Sequence, residues 1–270
     1  MTESDPNFCV ISAIRYDPSL LFPGSPPAVD AEQFEDCKAA LDPRLFFLLP
    51  RHVYRLNAAH EFFWPEISKE NGQVVTPDAL LTALYKAVVA PDKCWRLRVV
   101  VSKDGHIGVE AHETDPRGDL FSGLRDDTKP ETSWVVYLDS ESTPQSPITM
   151  FKTTNRDPYT AARERVLPPG FPGRGTVEVL LFNEKGQVTE GSLTNVAFWR
   201  DGGWITPSSN EIGGLRGAVK AELLDSGLLR EMKDGEAVFK DSIQEGEKVL
   251  LLNGIQGVTC GYVRLGPYRD

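Results

Sequence analysis

The stretch Val188-Thr-Glu-Gly-Ser-Leu-Thr-Asn-Val196 sets one carboxylate, Glu190, against a run of small hydroxyl and amide residues. Segments rich in β-branched and aromatic residues flank it, Val177 to Phe182 before and Asn195 to Arg200 after, and both are predicted strands. The turns Glu184-Lys-Gly186 and Asp201-Gly-Gly203 suit antiparallel hairpins. Further strands are predicted at Trp134–Leu138 and Lys248–Asn253. Upstream of the hairpins stands Phe151-Lys-Thr-Thr-Asn-Arg156. Downstream stands Ile212-Gly-Gly-Leu-Arg-Gly217, which reads as the opening of a helix over Leu215–Asp225.

The first half of the chain reads differently. Phe8 to Arg15 is a predicted strand ending near Tyr16-Asp17-Pro18. From Pro50 the residues Val53, Leu56, Ala59, His60 and Phe63 fall at helical spacing, and proline is tolerated in a first turn because its missing N–H would be unpaired there. A second helix is expected over Pro77–Ala90, with Leu80, Leu81, Leu84, Val88 and Val89 on its apolar side. Arg96–Ser102 reads as a strand closed by the turn Lys103-Asp104-Gly105. Leu21 to Ala28 reads as an exposed loop. Between Glu113 and Glu131 the composition turns polar and turn-forming. The expected organisation is a small N-terminal α/β domain over residues 1–115, a linker over 116–131 and a larger strand-rich domain over 132–270.

The bulk composition excludes some function classes. Of 270 residues, 40% are apolar and 25% charged, as in ordinary soluble globular proteins. A net charge of −10 argues against a nucleic-acid partner held by phosphate neutralisation, while leaving room for a small anion at a local basic cluster. No apolar run reaches a membrane span, and the start Met-Thr-Glu-Ser-Asp lacks a signal-peptide core, so a cytoplasmic protein without a membrane partner is expected. The cysteines Cys9, Cys37, Cys94 and Cys260 are scattered and read as reduced. They form no zinc pattern with His52, His60, His106 and His112, so no metal is expected. His52 and His60, eight apart on the first helix, read as surface or packing residues.

Several positions could carry chemistry. Lys152, beside Phe151 and three small polar residues, could be partly desolvated and so form a Schiff base. Read alone, it is as well a solvated surface charge. Glu190 could keep the ring nitrogen of an electron-sink cofactor protonated, or could be a turn acid. Gly213-Gly214-Leu215-Arg216 could let free backbone N–H groups approach a phosphate, or could be a plain helix-start loop. Arg55 could reach an anion or snorkel to solvent. Ser192 and Thr194 could donate from their hydroxyls.

Taken together, Arg55-Leu56, Lys152, Glu190-Gly-Ser192, Asn195 and Gly214-Leu-Arg216 occur in the order and spacing of a known family. The chain resembles the class IV, or fold type IV, pyridoxal-phosphate enzymes, which include branched-chain and D-amino-acid aminotransferases and 4-amino-4-deoxychorismate lyases. The run Lys152-Thr-Thr-Asn-Arg156 with Tyr159 and Ala161-Ala-Arg163 is most similar to the fungal-type lyases. The resemblance implies a two-domain α/β (α+β) fold with a barrel-like C-terminal domain, pyridoxal 5′-phosphate as cofactor, and a homodimer.

By the same resemblance Lys152 would hold the cofactor covalently and Glu190 would pair with its ring nitrogen. Arg55 and the main-chain N–H groups of Leu215 and Arg216 would hold its phosphate. Ser192, Thr194, Asn195, Asn253 and Gly254 would complete the cofactor site. Arg96, Arg98, Lys103, Tyr159 and Ile255 are candidates for the substrate side, where a small amine bearing carboxylates would bind. The implied reaction converts 4-amino-4-deoxychorismate to 4-aminobenzoate and pyruvate, a folate precursor step. The alternatives are an aminotransferase acting on D-amino acids, branched-chain amino acids or (R)-amines, and a non-catalytic binding relative. Two departures from the family stand out. The chain starts almost at Val10-Ile-Ser-Ala-Ile14, and it carries a Pro- and Gly-rich insert at Leu167–Arg174.

Overall fold

A computed structural model of the chain describes residues 5, 7–20, 42–125, 133–171 and 176–268. The loop expected at Leu21–Ala28, residues 126–131 of the expected linker and residues 172–174 of the insert lie outside them. The described residues form two compact units. The first gathers those up to Asp119 together with Lys152–Asn155 and Gly254–Gln256, and the second takes the rest.

The first unit holds a three-stranded antiparallel sheet of β1 (Val10–Tyr16), β2 (Trp95–Val101) and β3 (Ile107–Glu113), in that order. One sheet face is apolar: Val10, Ile14, Tyr16, Leu97, Val99 and Val101 are buried. Helix α1 (Leu49–Phe63) packs on β1 and buries Val53, Leu56, Ala59 and Phe63 at the spacing that predicts it. His52 and His60 are also fully buried, so neither lies on the helix surface. Helices α2 (Pro65–Asn71) and α3 (Pro77–Ala87) follow, the latter capped by the Thr76 hydroxyl, which accepts the Ala79 N–H at 3.2 Å.

Helix α3 stops three residues short of the expected Ala90. The Ala90 carbonyl instead accepts the Trp95 indole N–H at 2.7 Å, the Pro91 carbonyl accepts the Tyr16 hydroxyl at 2.9 Å, and Val89 is exposed. Strand β3 was not expected, because its residues are polar and mostly exposed. The turn at Gly105, with φ of +83°, returns the chain along β2 and makes β3 a charged edge strand.

The second unit is built on an eight-stranded sheet in the order β6-β5-β4-β11-β10-β7-β8-β9. Its strands are β4 (Trp134–Leu138), β5 (Val177–Phe182), β6 (Val188–Gly191), β7 (Asn195–Arg200), β8 (Gly203–Thr206), β9 (Arg230–Glu231), β10 (Lys248–Asn253) and β11 (Gly257–Val263). The β4–β5, β4–β11 and β8–β9 pairs are parallel and the rest antiparallel. The β7–β8 hairpin turns through Asp201 and Gly202 at φ of 50° and 81°, as a two-residue hairpin turn requires. One sheet face buries Val136, Leu180, Val196, Phe198, Val249, Leu251 and Val263. Val179 and Leu181 face the other way and pack with Tyr159 and Ala162.

Among the described residues three helices accompany this sheet where one was expected: α4 (Pro147–Met150), α5 (Asp157–Val166) and α6 (Ala218–Asp225). Helix α5 buries only Tyr159 and Ala162, too few apolar residues to show a helical stripe. Helix α6 starts at Ala218 and not at Leu215. Gly213 and Gly214, at φ of +105° and +98°, and Gly217, at ψ of 147°, are not helical. Among the described residues no helix is long and apolar enough to cross a membrane.

Candidate active site

In the first unit the chemistry gathers beside β1. The Lys152 carbonyl accepts the Ile11 N–H at 2.8 Å, and Thr153 bridges Val10, so the half-buried lysine is tied to the strand edge by its own backbone. Arg55 lies on α1. Among the described residues its one hydrogen bond is a long one, Nη2 to the Ile11 carbonyl at 3.4 Å. Burial pulls its guanidinium down to about 10, which leaves it a cation at neutral pH with most of its five donors unused. One turn earlier, His52 shares a 2.7 Å hydrogen bond with Ser12 Oγ through Nδ1. Burial, with Arg55 and Lys152 adding repulsion, holds the imidazole well below its usual range, so it is neutral. A Cβ on Gly254 would sit 2.6 Å from the Ala13 carbonyl and 2.9 Å from the His52 ring, so glycine is required there. Arg15 clamps this turn: its Nη1 donates to the Ile255 carbonyl at 3.2 Å, while Nε pairs with Asp17 at 2.7 Å.

The second unit carries the carboxylate side. Glu190, 3% exposed, accepts the Tyr159 hydroxyl on Oε1 at 2.8 Å and the Leu215 N–H on Oε2 at 3.0 Å. Burial, and then the Glu190 charge, push the Tyr159 phenol well above its usual range, so it stays a donor. Arg156 lies 4.4 Å over the same ring. At Gly214 the backbone packs so closely that a Cβ would lie 3.0 Å from the Thr189 carbonyl. Asn195 Nδ2 donates to the Leu215 carbonyl at 2.7 Å, and a Cβ on Gly217 would collide with Asn195 Oδ1.

Several expected roles are altered by these contacts. Ser192 and Thr194 do not aim their hydroxyl hydrogens at a ligand. They donate to a second buried carboxylate, Glu178, at 2.6 and 2.7 Å. Burial raises the Glu178 carboxyl, against hydrogen bonds from Ser192, Thr194 and the Val179 N–H and the Arg163 charge 3.9 Å away. The Leu215 N–H, expected on a phosphate, is committed to Glu190. The Arg216 N–H points at the Met150 carbonyl at 3.5 Å, and its side chain bonds Asn210 at 2.7 Å. Tyr159, expected on the substrate side, is the hydroxyl that orients Glu190.

Arg96 and Arg98 do share the half-exposed face of β2. Arg98 is paired with Glu110 at 2.6 Å, whereas Arg96 Nη1 is buried and has no hydrogen-bond partner among the described residues. Lys103 contributes its carbonyl to His60 Nε2 at 2.9 Å. Asn253 ends β10 opposite Gly257. Among the described residues no group of three or more His, Cys, Asp or Glu is placed to hold a metal.

Residues 33–260 match the model of the amino-transferase class IV family, and the chain belongs to that family. It is 31% identical over 228 residues to a Schizosaccharomyces pombe protein provisionally named aminodeoxychorismate lyase, a match covering 83% of this chain and 87% of that one. It is 32% identical over 201 residues to the aminodeoxychorismate lyase of Saccharomyces cerevisiae, covering 64% of this chain and 52% of the yeast protein. Among solved structures, a provisionally named amino-acid aminotransferase from Mesorhizobium loti superposes with a TM-score of 0.64 at 24% identity, covering 95% of this chain and all of that one. The 4-amino-4-deoxychorismate lyase of Pseudomonas aeruginosa superposes with a TM-score of 0.55 at 17% identity, covering 96% and 84%. The fold is that of class IV aminotransferases.

Proposed function

We propose that the chain is a pyridoxal-5′-phosphate-dependent lyase that converts 4-amino-4-deoxychorismate to 4-aminobenzoate and pyruvate, supplying a folate precursor. Identity of 31% over most of the S. pombe relative supports this substrate. The observation that carries the cofactor reading is Glu190, a buried acid whose two oxygens are fixed by a phenol and a backbone N–H. A carboxylate held in place in this way suits a ring N–H, whose charge it would stabilise. The underused Arg55 guanidinium suits a phosphate.

When bound, pyridoxal phosphate would supply an electron sink for the carbon that loses a proton. The work of this chain's residues is then binding, orientation and proton transfer. The Lys152 amine would hold the cofactor between turnovers. Once displaced by the substrate amine, it would take the proton from the amine-bearing carbon and return one to the departing enolpyruvyl group. Glu190, held by Tyr159, would keep the cofactor ring cationic. The half-buried Arg96, with its unpartnered Nη1, would meet a substrate carboxylate. The enzyme would act as a cytoplasmic homodimer on this small amine, with neither nucleic acid nor membrane as partner.

The test is to mix purified protein, pyridoxal phosphate and 4-amino-4-deoxychorismate without any keto acid. Steady pyruvate release, with borohydride trapping the cofactor on Lys152, is the expected result. Amino transfer to 2-oxoglutarate in place of pyruvate release would overturn the lyase assignment. Failure to bind the cofactor at all would overturn the enzyme reading.

A further inference from the structure

Lys220 is a buried charge that no step above uses. It lies on α6 and is 4% exposed. Its Nζ donates to the Pro207 carbonyl at 2.6 Å and to Ser209 Oγ at 2.8 Å, and pairs with Glu231 Oε1 at 3.0 Å. The same Glu231 oxygen accepts the Ser209 N–H at 3.0 Å. Ser209 Oγ donates onward to the Leu215 carbonyl at 3.4 Å, beside the 2.7 Å bond from Asn195. The N–H of Leu215 is the one that rests on Glu190 Oε2.

An ammonium taken from water into a packed core is costly unless every partner is in place. An apolar residue at this helix position would avoid that cost. Burial does pull the Lys220 amine below its usual range, with the Glu231 charge opposing it. What the ammonium does is tie down the segment between β8 and α6. That segment contains Gly213 and Gly214, both at positive φ and both with wide backbone freedom.

We infer that Lys220 is a positioning residue for Glu190: through Pro207 and Ser209 it clamps residues 207–217 so that the Leu215 N–H stays on the carboxylate. The inference rests on the reading that Glu190 serves the ring nitrogen of pyridoxal phosphate.

Two measurements test it, on Lys220→Met and on the milder Ser209→Ala, which removes the serine link and leaves the ammonium its bonds to Pro207 and Glu231. In the cofactor-free protein, amide hydrogen exchange over residues 208–217 should quicken about tenfold or more in Lys220→Met and less in Ser209→Ala. At saturating 15N-labelled pyridoxal phosphate, the ring-nitrogen shift should move toward the unprotonated value in both. Leu223→Ala, which loosens the same helix elsewhere, should leave both readouts at the parental value. Should Lys220→Met fail to fold, Ser209→Ala decides. A parent that binds the cofactor while the variants keep its exchange rates or its nitrogen shift overturns this inference alone. So does a Leu223→Ala variant that shows the same changes. A parent that takes up no pyridoxal phosphate overturns the cofactor reading, and this inference with it.

Discussion

Around β1 the buried titratable groups include Arg15 and His52, with the half-buried Arg55 beside them. Around β5 and β6 they include Glu178 and Glu190. The two regions resolve the cost of buried charge in different ways. A buried cation needs acceptors, and the first unit offers few beyond backbone carbonyls. Arg15 takes those of Ile255 and Asp115 and pairs with Asp17. His52 gives up its charge, and Arg55 keeps its charge with one long bond. A buried anion needs donors, and short hydroxyl side chains and turn N–H groups supply them at little entropic cost. Hence the Ser-Leu-Thr-Asn run lies beside Glu178. The cation-rich region suits an anion, and the carboxylate suits a cation.

This contrast can be broken one charge at a time. The largest effect is expected at Lys152. Lys152→Ala should lower pyruvate release by about 10²–10⁴-fold, the range for a positioned acid–base group, and abolish borohydride trapping. The backbone tie to Ile11 remains in the variant. On the anionic side, Glu190→Gln should cost roughly 10²-fold in turnover, as does removal of one preorganised electrostatic partner. An unchanged rate in that variant would detach Glu190 from the chemistry.

Glu178→Gln sharpens the comparison between the two carboxylates. It should lower stability to denaturant by about 1.5–3 kcal/mol, the scale of lost hydrogen bonds to a charged group, while affecting turnover less than Glu190→Gln does. The smallest effect is the pH response of the first unit. The native His52 imidazole refuses a proton that the unfolded chain accepts below about 6.5. Stability from this group is therefore complete above that pH and falls as acid is added, by at most about 1.4 kcal/mol per pH unit. His60, also lowered by burial, adds a slope of the same sign. Thermal melts from pH 7 to 5 should show a shallower decline in His52→Gln than in the parent.

What the sequence revealed follows from which faces were amphipathic. Strands β5, β7 and β10 and helix α1 announce themselves by β-branched runs or helical stripes. Strand β3 and helix α5 hide, because partners and turns impose them on polar segments. The site shows the same division. Glu190 stands out as an acid at a strand end among small residues, and Lys152 stands beside it in the ordered set. Glu178 is hidden inside Val177-Glu-Val-Leu-Leu-Phe182, a run whose other five residues are all apolar. The strand is in fact buried on both faces. Lys220 is masked likewise, since a lysine on a helix ordinarily reads as surface. The helix expected at Leu215 fails because positive φ at two successive glycines is visible only in three dimensions.

Strand β1 depends on residues far along the chain: Ile11 bonds Lys152, Thr154 bonds Cys9, and Arg15 bonds Gly254. A ribosome must therefore release the chain past residue 254 before this strand acquires its last neighbours. Truncation products ending near residue 119 should emerge as incomplete, protease-sensitive fragments and not as a free-standing module, because that strand would lack the bonds from residues 152–154 and 254.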